Sequence, residues 1–151
     1  MREVESDYSI GRWIAVLHHG AMRYFGDRME AYDLPGTAVP LLRRLMRDPP
    51  PSQDELCRFA ARDKASISRL LDTLEERGFV VREADPDDSR LKRVHVTDDG
   101  RALARVVGDC LARWNEMLTR GLTPEERSQG LALLQRMAEN CGHDMPCERR
   151  S

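Results

Sequence analysis

The chain has 151 residues, 40% hydrophobic and 33% charged, with a net charge of -2, which is typical of one globular domain with a real core and excludes a disordered chain or a bulk polycation. Only 5% of residues are aromatic, which disfavours a stacking surface for single-stranded nucleic acid and leaves duplex DNA open. No apolar run approaches the roughly 20 residues of a membrane helix and the start MREVESDYS lacks a signal-peptide core, so we expect a cytoplasmic protein with free thiols, without contact to a membrane.

The first predicted element is a long helix that starts at Ile10. Its apolar residues recur at steps of three and four as far as Met29, which places them on one face, and Pro35 and Gly36 then break the chain. A shorter helix is predicted over residues 38–46, before three consecutive prolines.

Two short helices around a tight turn are predicted next. Ser52 and Glu55 form a capping box, which opens a helix expected to bury Leu56, Phe59 and Ala60. Asp63 can cap the following helix, whose apolar stripe is Ile67, Leu70, Leu71 and Leu74, and Gly78 ends it at a left-handed position. This order is that of a helix-turn-helix, in which the second helix can enter a major groove.

A β-hairpin is predicted immediately after these helices. Residues 79–83 favour a strand, residues 84–89 supply turn residues, and residues 91–97 alternate between apolar and polar side chains. Helix, helix, hairpin is the order of a winged helix. The acidic run of residues 85–88 and the cations that follow it would then lie at or just past the tip of the wing.

The chain ends in two further predicted helices. Thr97 caps one that starts near Asp98, and the capping box of Thr123 and Glu126 opens the other. The helices at both chain ends carry more apolar surface than one small domain can cover, which predicts a homodimer. The expected fold is therefore mainly α with a small β-hairpin wing. Residues 1–36 would form a dimerisation helix, residues 37–97 the winged helix-turn-helix, and residues 98–151 further dimerisation helices and a flexible tail.

Three further sequence pieces are DKASISRLLDTLEERGFVVRE, then Asp88-Ser89-Arg90, then VTDDG at residues 96–100. In this order they resemble the recognition helix with the first wing strand, the D-x-R wing motif and the L-T-x-x-G motif of the MarR family of dimeric winged-helix regulators, with Val96 in place of leucine. The resemblance covers about a third of the chain. It implies a regulator of transcription, a repressor in this interpretation, that binds a palindromic operator in double-stranded DNA and is released by a small aromatic or anionic effector.

The resemblance also implies roles for particular residues. Arg90 would enter the minor groove, where a guanidinium suits the narrow electronegative space, and Asp88 would brace the wing tip. The outward face of the recognition helix would contact bases and phosphates, and the start of the preceding helix would direct its first amides to the DNA backbone. The full set of predicted DNA contacts is Ser52, Gln53, Lys64, Ala65, Ser66, Ser68, Arg69, Asp88, Arg90, Lys92 and Arg93.

Two places could receive a signal. Family members bind effectors in the crevice between the winged domain and the dimer helices, and the residues predicted to line it here are Trp13, His18, His19, Met22, Arg23 and Trp114, for which interhelical packing is the alternative. The tail holds Cys141, His143 and Cys147, which could form a redox pair or, with a fourth ligand, hold a metal. Incidental thiols on a flexible tail are the simpler interpretation, and we predict no metal site and no cofactor.

Two other functional classes compete with the regulator. An enzyme is disfavoured because the sequence has no glycine-rich phosphate loop, no G-x-S-x-G elbow and no H-E-x-x-H helix. A winged domain that binds another protein without reading DNA stays open, because acids temper the local basic field. The adjacent Glu75 and Glu76 are interpreted as solvated surface.

Overall fold

The computed structural model describes residues 9–142. It contains six α-helices and one two-stranded antiparallel sheet within that range: α1 Ile10–Met29, α2 Ala38–Leu45, α3 Gln53–Ala60, α4 Lys64–Glu76, β1 Val80–Ala84, β2 Lys92–Val96, α5 Asp98–Leu118 and α6 Pro124–Cys141. A 3₁₀ turn at Glu30–Tyr32 ends the first helix. This architecture confirms the predicted fold of a mainly helical chain with a β-hairpin wing.

Local capping signals set where the helices begin. The Asp63 side chain accepts a hydrogen bond from the Ser66 amide, and the Thr97 side chain accepts one from the Gly100 amide. The capping boxes predicted at Ser52 and Thr123 are both formed. These side chains satisfy amides that have no partner within the helix. Gly78, with a φ of 76°, follows the end of α4 in the left-handed conformation that was predicted.

The wing is a short, regular hairpin. Val80 pairs with Val96 at its base and Ala84 with Lys92 near its tip. An isolated bridge between Ser52 and Arg93 attaches the second strand to the start of α3. The wing is therefore connected to the helix-turn-helix through the backbone as well as through side chains.

One core lies beneath α2, α3, α4, the wing and the first half of α5. Its fully enclosed side chains include Leu42, Leu56, Leu71 and Val94. Phe59 was predicted to join this core, but it is exposed on α3. The stripe of α4 was predicted correctly, since Ile67, Leu70, Leu71 and Leu74 are all buried.

The terminal helices expose apolar surface. On α1 and in the segment from the end of α5 to α6, many large hydrophobic side chains are about 40% to 60% exposed: Ile10, Trp13, Ile14, Val16, Leu17, Met117, Leu118, Leu122, Leu131, Leu133 and Leu134. So many exposed large apolar side chains on the terminal helices are typical of an interaction surface. No helix within residues 9–142 is long and apolar enough to cross a membrane.

Candidate nucleic-acid interface

The helix predicted to enter the major groove, α4, presents a polar face to solvent. Lys64, Ala65 and Arg69 are exposed, while Ser66 and Ser68 are half-buried. The ammonium of Lys64 lies 2.9 Å from a carboxylate oxygen of Asp54 on α3. Both side chains are well exposed, so DNA phosphates can compete for the lysine at little cost.

Ser66 has a structural task on this face. Its amide and hydroxyl donate to the Asp63 carboxylate at 2.8 and 2.7 Å, and its hydroxyl oxygen accepts from Arg69 at 3.3 Å. These bonds hold the pKa of Asp63 below its usual range. Ser66 therefore orients Arg69 and the helix cap, and the Arg69 guanidinium is the stronger candidate for a groove contact.

The start of α3 differs from the prediction at one residue. Ser52 was predicted to direct its amide at DNA, but that amide donates to Glu55 Oε2 at 2.7 Å and the residue is buried. Because the capping box uses the Ser52 amide, that amide does not point toward DNA. Gln53, the next residue, is half-buried, and its predicted contact stays a prediction.

The wing tip presents one highly exposed guanidinium. The Arg90 side chain is 89% exposed, and its Nε and Nη2 donate to the two oxygens of Asp88 at 3.1 and 3.3 Å. The Arg90 amide also donates to Asp88, at 3.0 Å, and these bonds lower the pKa of the Asp88 carboxyl. Asp88 accordingly braces Arg90 directly, and the cation projects into solvent.

Lys92 and Arg93 follow on β2 and face different surroundings. Lys92 is exposed, as a phosphate contact requires. Arg93 was predicted to contact DNA, but its guanidinium is turned into the protein, where Nε donates to Asp85 Oδ2 at 2.5 Å and Nη1 to Glu55 Oε2 at 3.1 Å. Because Nε and Nη1 are held by these two carboxylates, Arg93 braces the wing, and its predicted contact with DNA stays a prediction.

Two further residues of the wing were missed by sequence reasoning. Asp85 is 8% exposed and accepts the amides of Asp87 and Asp88 at 2.8 and 3.2 Å, so it shapes the turn. Arg82 on β1 pairs with Glu75 and Asp72 of α4 at 2.7 and 2.5 Å. Glu75, predicted to be solvated surface, keeps 37% of its side chain exposed and also pairs with Arg82, which the prediction missed, while Glu76 is exposed. The run of acids followed by cations along residues 85–93 was the one sequence signal that could have indicated a pairing between Asp85 and a cation of the wing.

The residues predicted to line an effector crevice are spread along α1 and α5 within the described part of the chain, and their role stays a prediction. Trp13, His18, His19 and Arg23 are exposed on α1. Trp114 packs against Tyr24, with ring centroids 5.3 Å apart, and Met22 packs on the core. Trp114 and Met22 therefore fit the alternative of interhelical packing.

A different cleft lies between the end of α1 and the middle of α5. It has a volume of about 360 Å³, and its lining residues are Arg28, Ala31, Tyr32, Val106, Asp109, Cys110 and Arg113. Burial raises the pKa of the Cys110 thiol. The cleft combines aliphatic and aromatic surface with two guanidinium groups and the Asp109 carboxylate. The Arg28 guanidinium lies over the Tyr24 ring, 3.5 Å from its centroid.

The predicted thiol pair lies only partly within the described residues. Cys141, in the last turn of α6, is exposed, whereas His143 and Cys147 lie outside the described residues. Among residues 9–142, no group of three or more histidine, cysteine or acidic side chains is arranged to hold a metal ion.

Comparison with known proteins identifies relatives of this winged domain. The MarR family model matches residues 32–91. A MarR transcriptional regulator of Methanosarcina mazei Go1 is 29% identical, with a TM-score of 0.79 over 87% of this chain and 94% of its own. A second structure, of MarR, is also 29% identical, with a TM-score of 0.77 over 93% of each chain. The fold is shared as well with a MarR family regulator of Listeria monocytogenes in complex with a 26mer DNA, at 20% identity and a TM-score of 0.86 over 91% of each chain.

Proposed function

We propose, from the premise that this chain belongs to the MarR family of transcriptional regulators, that it binds operator DNA as a homodimer and represses transcription. In this proposal α4 lies in the major groove and the wing enters the adjacent minor groove. A dimer bound over a promoter blocks polymerase, which is why repression is the favoured outcome.

The observation that carries the proposal is the environment of Arg90. Of the wing cations described above, Arg82 and Arg93 pair with carboxylates and are 19% and 28% exposed, and Lys92 is exposed on β2. Arg90 is 89% exposed and is held at the tip by Asp88. A guanidinium held in place on a hairpin tip suits a narrow, electronegative minor groove. The shared fold with a regulator in complex with a 26mer DNA supports binding to DNA.

The dimer part of the proposal rests on the exposed apolar faces of α1 and α6. Every described side chain of α6 is half-buried or exposed, although the helix carries Leu131 and Leu134 on one face. A second copy related by a two-fold axis would cover these faces and set two α4 helices side by side. The half-sites would then lie about 10 base pairs apart, centre to centre.

Selection of bound fragments from the organism's own genomic DNA, followed by anisotropy titration, tests the proposal. We expect a palindromic site whose affinity falls steeply with salt, because several phosphates are neutralised. Arg90→Ala should weaken binding by about 1–3 kcal/mol while the dimer stays intact. Arg101→Met is the charge-matched control, since Arg101 pairs with Asp98 at the start of α5. A winged module that binds another protein instead would recover no duplex from the selection.

Release by an effector is the second part of the proposal, and the cleft beside Arg28 and Arg113 is the favoured place for it. Two guanidinium groups beside Tyr32 can pair with a carboxylate and an aromatic ring. A series of aromatic carboxylates should raise the melting temperature of the parent protein and release its DNA, and Arg113→Met should weaken both effects. Equal responses of the parent and the variant would exclude this cleft.

A further inference from the structure

The wing contains a continuous set of hydrogen bonds that runs from the cap of α3 to the exposed guanidinium of Arg90. It begins at Glu55, whose Oε2 accepts both the Ser52 amide at 2.7 Å and Arg93 Nη1 at 3.1 Å. The same Arg93 guanidinium donates through Nε to Asp85 at 2.5 Å. One arginine thus joins the helix-turn-helix to the turn of the wing.

Asp85 extends this connection into the tip. Its Oδ2 binds Arg93, while its Oδ1 accepts the amides of Asp87 and Asp88. The Asp88 carboxylate then holds the Arg90 side chain. The pKa of Asp85 is lowered chiefly by the hydrogen bond from Arg93, which shows that the pair stabilises the ionised carboxylate.

The backbone reinforces the same connection. Ser52 and Arg93 form a β-bridge, and the Val94 amide donates to the Pro51 carbonyl at 2.9 Å. Arg93 Nη1 also lies 3.3 Å from the Pro50 carbonyl. The segment before α3 therefore fixes the backbone and one side of the Arg93 guanidinium. Asp85 binds the side of the guanidinium that faces the tip of the wing.

We propose that Arg93 and Asp85 are positioning residues for Arg90, which hold the wing cation at a set place relative to the helix-turn-helix without touching DNA. This inference rests on the proposed function, in which Arg90 contacts the minor groove. Its physical basis is that a contact made by a pre-ordered side chain loses less conformational entropy on binding than one made by a mobile hairpin.

A double-mutant cycle on the full chain tests the inference. Arg93→Met should weaken binding of the selected duplex about tenfold in the parent protein and less than about twofold in the Arg90→Ala background, because the brace acts only through Arg90. Arg93→Lys should fail to restore binding, since a single ammonium cannot reproduce the two-sided guanidinium geometry. Equal losses in both backgrounds, or full rescue by lysine, would overturn the inference in favour of direct contact or bulk charge.

Asp85→Asn is the second variant, for the case in which Arg93→Met does not fold. Its amide oxygen can still accept the two turn amides, but it lacks the charge that pairs with Arg93. We expect Asp85→Asn to weaken DNA binding in the parent protein and to have little effect in the Arg90→Ala background. Melting temperatures of the parent and the variant, measured at equal protein concentration, check that the variant is folded. If Arg90→Ala itself binds like the parent, the minor-groove contact of the proposed function fails; if it loses binding but the cycle is additive, only the positioning inference fails.

Discussion

Replacement of Gly100 by alanine tests how closely the first turn of α5 packs against the base of the wing. A Cβ at this position would overlap the carbonyl oxygen of Phe79 and lie 2.7 Å from Cγ1 of Val96. The Phe79 carbonyl is also the acceptor for the Thr97 amide at 3.1 Å. Because the nearest obstacle is backbone, a rotamer change cannot relieve the overlap, and α5 must move away from the wing.

The expected loss of stability follows from three contributions. Overpacking of this kind costs about 1–3 kcal/mol. Movement of the helix also weakens the Thr97 cap, which accepts the Gly100 amide at 3.1 Å and donates to the Gly78 carbonyl at 2.6 Å, a further cost of about 1 kcal/mol. The higher helix propensity of alanine returns about 1 kcal/mol. The free energy of unfolding should therefore fall by about 2 kcal/mol.

Urea unfolding at one fixed protein concentration measures this loss, with Gly108→Ala as the matched control. Gly108 lies within the same helix, and a Cβ there meets no atom of the described chain within 4 Å. The control should be unchanged or more stable by up to about 1 kcal/mol. If Gly100→Ala proved as stable as Gly108→Ala, the close approach of α5 to the wing would be refuted.

Three further predictions concern the cap of α3, the core and acid stability. Ser52→Ala removes the hydroxyl that caps α3 and should cost about 1 kcal/mol in urea unfolding; parent-like stability would contradict the cap. Leu71→Ala leaves a void in a fully buried position and should cost about 2–5 kcal/mol, so a loss below about 1 kcal/mol would mean that Leu71 is not enclosed. Arg82 lowers the pKa of Glu75 in the folded chain, so its stabilisation is complete above the ordinary glutamate value of about 4.3 and is lost as pH falls below it. Melting temperatures measured from pH 6 to pH 3 should fall less steeply for Glu75→Gln than for the parent, and identical slopes would count against the pair.

The starts of the helices could be predicted because their signals are local. A cap joins residues three positions apart, so Ser52, Asp63, Thr97 and Thr123 could be identified from spacing and residue type alone. Gly78 could be assigned for the same reason, since only the local backbone decides its conformation. The apolar stripe of α4 follows directly from helical periodicity.

The partners of charged residues could not be predicted in this way. Arg93 and Glu55 are 38 positions apart, and nothing local distinguishes a cation that binds an internal carboxylate from one that faces DNA. Glu75 was interpreted as solvated for the same reason, although it holds Arg82 of the wing. Phe59 follows the apolar pattern of α3 yet is exposed, because the buried face is centred on Leu56, Cys57 and Ala60, and Phe59 lies to one side of it on the helix.

Hydroxyl-radical footprinting of the dimer on its selected duplex tests the central claim most directly. We expect protection on one face of the duplex, centred on two successive major grooves, together with minor-groove protection beside each that disappears in Arg90→Ala while the major-groove pattern persists. Protection of a single half-site, or a minor-groove pattern that is the same with and without Arg90, would contradict the assignment of α4 and the wing to the two grooves.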